Sequence, residues 1–183
     1  MANLITLGRL ALVLPFAAAF MANASWNLDV ALAIFALAAF GDFLDGRVAR
    51  ARSEVTALGA ALDPIADKVL IAVALMLLVR NGVVRGPDVV AALAVVAREV
   101  FVSGLREATA RTGATLDVTG LSKWKTAAQI AAVGFLLAAA PTGILGEAWR
   151  PLGVGLLWFA ALVTVWTGGQ YARAAARHFR AAS

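Results

Sequence analysis

The chain has 183 residues, of which 62% are hydrophobic and 15% charged, and its formal net charge is +5. A soluble domain is about 45–50% apolar and about a quarter charged, so this chain carries more apolar surface than a small core can bury, and lipid is the expected solvent. It has no cysteine, which excludes disulfides, thiolate metal sites and a cysteine nucleophile; the positive charge points to anionic headgroups, and no nucleic acid partner is expected.

Six apolar runs follow one another, each near the ~20 residues that span hydrocarbon. They cover about Leu4–Met21, Trp26–Asp45, Leu58–Val79, the stretch from Gly86-Pro87 to Leu105, Trp124–Ala140 and Leu152–Tyr171. Pro15 is expected to bend the first. A first apolar run followed by five more is not read as a cleaved signal. Basic residues alternate between the connections. Arg9, then Arg47, Arg50 and Arg52, then Arg106, Arg111, Lys123 and Lys125, and finally Arg173, Arg177 and Arg180 fall on one side. Arg80, Arg85 and Arg150 fall on the other. The positive-inside rule puts both termini in the cytoplasm. The expected fold is all-α: a six-transmembrane-helix bundle forming a single domain over residues 1–183, multi-pass in the inner (cytoplasmic) membrane.

Asp42 and Asp45 end the second run, three residues apart, and Asp63 and Asp67 begin the third, four apart. Both spacings put side chains on one helical face. Four converging carboxylates would repel, and membrane burial worsens the repulsion. A hard divalent cation such as Mg²⁺ or Mn²⁺ relieves both problems with oxygen ligands, and the lone His178 is remote in sequence. The competing reading pairs the aspartates with Arg47, Arg50, Arg52 and Lys68. Gly46 and Gly59 would let backbone or ligand approach closely, and the Arg50 guanidinium suits a phosphate oxygen. Lys68 follows Asp67 but points about 100° away around the helix, as a structural partner.

Asp42, Asp45, Gly46, Ala49, Arg50, Gly59, Asp63 and Asp67 stand at the eight fixed positions of a twenty-six-residue motif. On this pattern the chain resembles the CDP-alcohol phosphotransferase family. The resemblance implies that Asp42, Asp45 and Asp63 bind two metal ions. It implies that Asp67 joins them and acts as general base on the acceptor hydroxyl. Gly46, Ala49, Arg50 and Gly59 match positions that cradle the CDP moiety of CDP-diacylglycerol. The segments Asn3–Arg9, Leu62–Lys68, Ala97–Glu99, Ser103–Glu107 and Ser122–Gln129 resemble the bacterial branch of the family whose acceptor is glycerol 3-phosphate. The resemblance runs from about Asn3 to Gln129, and the last span adds little. Asn3 and Thr6 then match cytidine-side contacts, although Ala2 stands where relatives have proline.

The residues also favour an anionic acceptor. Arg98 lies inside the fourth run, where an unpaired cation is costly; its alternative is a salt bridge with Glu99 or an aspartate. Arg106, Lys123 and Lys125 lie at the predicted cytoplasmic side, where basic residues are also ordinary positive-inside features. Together with Arg98 they are expected to bind the acceptor's phosphate. Trp124 and Trp149 are expected as interfacial anchors. The expected reaction is phosphatidyl transfer from CDP-diacylglycerol to glycerol 3-phosphate, at a site facing the cytoplasm and with membrane lipids around the enzyme. The alternatives are the same chemistry on inositol phosphate, serine or phosphatidylglycerol, and a divalent-cation transporter. The family resemblance also implies a homodimer.

Overall fold

The apolar runs become helices. The computed structural model describes residues 2–22, 24–52, 57–112 and 121–182, and leaves undescribed the side chains at positions 2–7, 9, 42–52, 57–64, 67, 121–123 and 181–182. The helices are α1 (Ala2–Met21), α2 (Asn27–Arg52), α3 (Ala57–Arg80), α4 (Asp88–Arg111), α5 (Leu121–Ala138) and α6 (Arg150–Ala182), with one 3₁₀ turn at Glu147–Trp149. No strand occurs among the described residues, so the all-α expectation holds.

Small residues let the helices approach. Ala31, Ala38, Ala74, Ala132, Ala140 and Ala160 are fully buried, and such side chains permit close backbone contact between helices. Aromatic rings fill the wider gaps. Phe16 meets Phe20 edge-on at 6.0 Å between centroids and Phe35 at 6.1 Å. Helix α1 packs on α2 and α3, α5 on α2, α3 and α6, and α4 on α3 and α6.

Outward-facing side chains are also large and apolar. Leu14, Leu37, Phe40, Met76, Leu93, Phe101, Leu162 and Trp166 are exposed, distributed over α1, α2, α3, α4 and α6. Helix α6, extended by the preceding 3₁₀ turn to Glu147–Arg180, is long and apolar enough to cross a membrane. Its 33 residues rise about 50 Å, well beyond the ~30 Å of a hydrocarbon core.

Helix ends fall differently from the apolar runs. α2 continues seven residues past Asp45, to Arg52. α4 continues six past Leu105, to Arg111, and α5 begins three before Trp124. α6 extends to Ala182, eleven residues past Tyr171. Apolarity ends where lipid would end, whereas backbone hydrogen bonding carries a helix onward into polar surroundings. Arg106, Arg111, Lys123 and Lys125 therefore stand on helices and not in a connecting loop.

The turn between α3 and α4 closes by chemistry readable in its residues. Val83 N–H donates to the Leu78 carbonyl at 3.0 Å and Gly82 N–H to that of Val79 at 3.0 Å. This is a Schellman closure, and it needs the positive φ of +71° that Gly82 supplies. At the same end, Arg150 Nη2 donates to Asp88 Oδ2 at 2.9 Å, Arg150 Nε to the Val83 carbonyl at 2.6 Å, and Trp158 Nε1 to Asp88 Oδ1 at 3.2 Å. Asp88 also sits in the first turn of α4, where the helix dipole favours an anion. Replacing Asp88 by alanine is expected to cost about 1–3 kcal/mol, the worth of hydrogen bonds to a part-buried charge. The check is the thermal midpoint of the purified protein in detergent.

Candidate active site

A cavity of about 170 Å³ opens among α3, α4, α5 and α6, lined by Lys68 and Ile71, by Arg98, Glu99, Val102, Ser103 and Arg106, by Lys125, Thr126 and Gln129, and by Tyr171. At about 30 Å³ per water, it has the scale of a small polar molecule and not of an acyl chain. Its position follows from helix register. Arg98, Val102 and Arg106 recur every four residues on α4, and Lys125 and Gln129 do so on α5, so each helix turns one stripe toward the cavity.

Glu99 is the centre of its wall. Oε1 accepts from Lys125 Nζ at 2.5 Å, from Arg98 Nη1 at 3.1 Å and from Gln129 Nε2 at 3.2 Å. Gln129 Nε2 also donates to Thr164 Oγ1 at 3.0 Å, and Arg98 Nη2 donates to Thr167 Oγ1 at 3.0 Å. The Arg98 guanidinium carbon lies 5.8 Å from the centre of the Tyr171 ring. Lys68 Nζ donates to Ser103 Oγ at 2.5 Å, and that hydroxyl donates in turn to the Glu99 carbonyl at 2.5 Å. Arg98, Glu99, Lys125 and Gln129 are each at most 8% exposed. The lining holds four basic groups, Lys68, Arg98, Arg106 and Lys125, against one acid, Glu99, a formal excess of three positive charges. Such an excess around a small cavity favours an anion.

The residues expected to bind the acceptor are thus largely brought together. Arg98, Arg106 and Lys125 share one cavity, while the side chain of Lys123 lies outside the described residues. Arg98 does form the salt bridge with Glu99, and Lys125 joins the same carboxylate. Lys68 is indeed a structural partner, and it is also part of the cavity wall. Trp124 and Trp149 are exposed. His178 lies elsewhere, against Thr112 Oγ1 at 2.8 Å.

The side chains of Asp42, Asp45, Asp63 and Asp67, and those of Asn3, Thr6, Gly46, Ala49, Arg50 and Gly59, lie outside the described residues. Among the described residues no group of three or more His, Asp or Glu side chains gathers as metal ligands. The helices place the aspartate positions nonetheless. Asp42 and Asp45 fall on α2, and Asp63 and Asp67 on α3. Only residues 53–56 separate the two helices, so their facing ends are at most roughly 18 Å apart. Ile71, in the cavity wall, stands four residues after Asp67 on one helix. Position 67 therefore lies about 6 Å along the axis from Ile71, on the same helix face, and directly precedes Lys68 of the cavity wall. Four carboxylates form a donor set suited to a hard divalent cation.

Contributions from α6 are the part that sequence reasoning missed. Thr164 and Thr167 bond to Gln129 and Arg98, and Gly168 and Tyr171 lie against Arg98, whereas no residue of the last span was named for the site. Their spacing of three and four was visible, because polar groups sharing one face of an apolar helix point to a partner inside the bundle. The central role of Glu99 was likewise unassigned.

The chain belongs to the CDP-alcohol phosphatidyltransferase family, which it matches over residues 1–166; it is a transferase of phospholipid biosynthesis. Among its relatives is the CDP-diacylglycerol–glycerol-3-phosphate 3-phosphatidyltransferase of Pseudomonas fluorescens, 40% identical over 181 residues, covering 97% of this chain and 91% of the relative. The protein of the same name from Escherichia coli K12 is 36% identical over 181 residues, covering 94% and 93%. CDP-diacylglycerol–glycerol-3-phosphate 3-phosphatidyltransferase 2 of Arabidopsis thaliana is 36% identical over 182 residues, covering 93% and 77%.

Proposed function

We propose that this chain transfers the phosphatidyl group of CDP-diacylglycerol to glycerol 3-phosphate, giving phosphatidylglycerophosphate and CMP. The observation that carries the reading is the cavity rich in basic groups whose wall on α3, Lys68 and Ile71, begins at the residue after position 67. The names of the relatives supply the substrates. A phosphomonoester fits the excess of basic groups, and the cavity's size suits a three-carbon alcohol.

In this mechanism Arg98, Arg106, Lys123 and Lys125 hold the acceptor phosphate. Asp67 takes the proton of the acceptor hydroxyl as its oxygen attacks the β-phosphorus. The bond from that phosphorus to the CMP oxygen breaks, and CMP leaves. Asn3, Thr6, Gly46, Ala49, Arg50 and Gly59 hold the CDP portion. Two Mg²⁺ or Mn²⁺ ions, held by Asp42, Asp45, Asp63 and Asp67, would neutralise the diphosphate and the developing charge on the leaving group. Residues 1–183 act as one membrane-embedded unit.

The same reading places six spans in the inner membrane with both termini and the site at the cytoplasmic face. The exposed apolar side chains on five helices support lipid as the solvent. The excess of basic residues in alternate connections of the sequence supports the orientation. A homodimer with one site per protomer is the assembly expected of the family.

The test is a panel of labelled CDP-diacylglycerol with glycerol 3-phosphate, inositol phosphate, serine or phosphatidylglycerol, scored by lipid product. Product with glycerol 3-phosphate alone is expected; preference for another alcohol would reject the assignment. A charge-assisted hydrogen bond contributes about 1.5–3 kcal/mol, and about 1.4 kcal/mol is tenfold in affinity. The double variant Lys123→Ala, Lys125→Ala is therefore expected to raise the KM for glycerol 3-phosphate at least about tenfold, read from initial rates of CMP release. An unchanged KM would remove these lysines from the acceptor site.

A further inference from the structure

Arg98 is held from α6 in a way that its bonds to Glu99 do not require. Nη2 donates to Thr167 Oγ1 at 3.0 Å, and the guanidinium lies near the Tyr171 ring. The aliphatic stem lies against Gly168. A β-carbon built on Gly168 would come within 2.8 Å of Arg98 Cγ, 3.1 Å of Nε and 3.5 Å of Cδ. The close atoms are the root and middle of the side chain, which cannot swing aside as a flexible tip can. Arg98 Nε is buried and has no hydrogen-bond partner among the described residues. An unpaired buried donor is exceptional and calls for an explanation. Pressing the stem on a bare glycine explains it: packing, and not full hydrogen bonding, sets where the guanidinium points.

We propose that Gly168 is a positioning residue for acceptor binding, admitting the Arg98 stem against α6 so that its guanidinium faces the cavity. The proposal rests on the reading of this cavity as the acceptor's phosphate site. Gly169 provides an internal control. It is the next residue of the same helix, and a β-carbon there would meet nothing within 4 Å.

The experiment measures KM and kcat for both substrates in Gly168→Ala, Gly169→Ala, Arg98→Ala and the double variant Arg98→Ala, Gly168→Ala. A displacement of about 1 Å in a binding group can cost up to about a hundredfold, so Gly168→Ala is expected to raise the glycerol 3-phosphate KM about tenfold or more. The KM for CDP-diacylglycerol and the kcat at saturating acceptor should stay near the parent values, and Gly169→Ala should match the parent throughout. In the Arg98→Ala background the second change should add nothing, because residues acting through one another are non-additive. An unchanged acceptor KM in Gly168→Ala, beside a raised one in Arg98→Ala, overturns the positioning role and leaves the cavity's assignment standing. An unchanged acceptor KM in Arg98→Ala overturns that assignment, and the positioning role with it. If Gly168→Ala does not fold, Thr167→Val removes the Nη2 acceptor without added volume. It should raise the acceptor KM in the same direction, and no change there also overturns the proposal.

Discussion

Asp67→Asn is expected to lower kcat for CMP release by about 10²–10⁴-fold, the usual contribution of a positioned general base. The substitution keeps the shape of the side chain and removes its ability to accept the hydroxyl proton. It also weakens one ligand of the proposed metal pair, which adds to the loss in the same direction. Position 67 shares a face of α3 with Ile71 in the cavity wall, the cavity proposed to take the acceptor. The measurement is single-turnover release of labelled CMP from purified protein at saturating Mg²⁺ or Mn²⁺. A near-parental rate would assign the base elsewhere. The neighbouring Lys68 is not the substitute expected, since its ammonium is engaged with Ser103.

Glu99→Ala is expected to be the most damaging single change to folding in the described site. Glu99 is the acid that Arg98 and Lys125 share, with Gln129 as a third donor to the same oxygen. Truncating it leaves two buried cations without the carboxylate that they share. Removing one partner of a buried ion pair costs about 3–5 kcal/mol, a large part of the 5–15 kcal/mol that typically holds a domain folded. The expected result is a marked fall in the thermal midpoint in detergent and in the yield of folded protein. Glu99→Gln keeps an oxygen acceptor and the side-chain volume, so it should lose less stability while still weakening acceptor binding. An unaltered midpoint in Glu99→Ala would show that the triad is not held together by this carboxylate. The two predictions separate cleanly: Asp67→Asn acts on rate in a folded protein, and Glu99→Ala acts first on the fold.

Buried ion pairs of this kind seldom add net stability over apolar packing, because desolvation offsets most of their attraction. Placing Arg98, Glu99 and Lys125 beside a cavity in an otherwise apolar bundle therefore makes most sense as preparation for a charged ligand. Their mutual bonds hold two cations near each other that would otherwise repel, so a phosphate would meet a site already arranged.

Much of this was legible in the residues alone. Apolar runs of spanning length predicted helices, because a helix pairs its backbone groups within its own segment, and the regular structure of the described residues is all-helical. The eight fixed positions from Asp42 to Asp67 carried the resemblance to the family, and the match over residues 1–166 bears that resemblance out. Arg98, Arg106 and Lys125 were recognisable as acceptor-side candidates because cations near or within spans are costly and so usually functional. Helix ends were less legible, since the end of an apolar run does not mark the last backbone hydrogen bond. What only the tertiary structure decided is which partners those cations take. Glu99 precedes Lys125 by twenty-six residues and Thr164 follows Gln129 by thirty-five, and no local pattern brings them together. Packing of α4 and α5 against α6 does so. Gly168, silent as a letter in the chain, becomes significant only because the stem of Arg98 lies where its side chain would be.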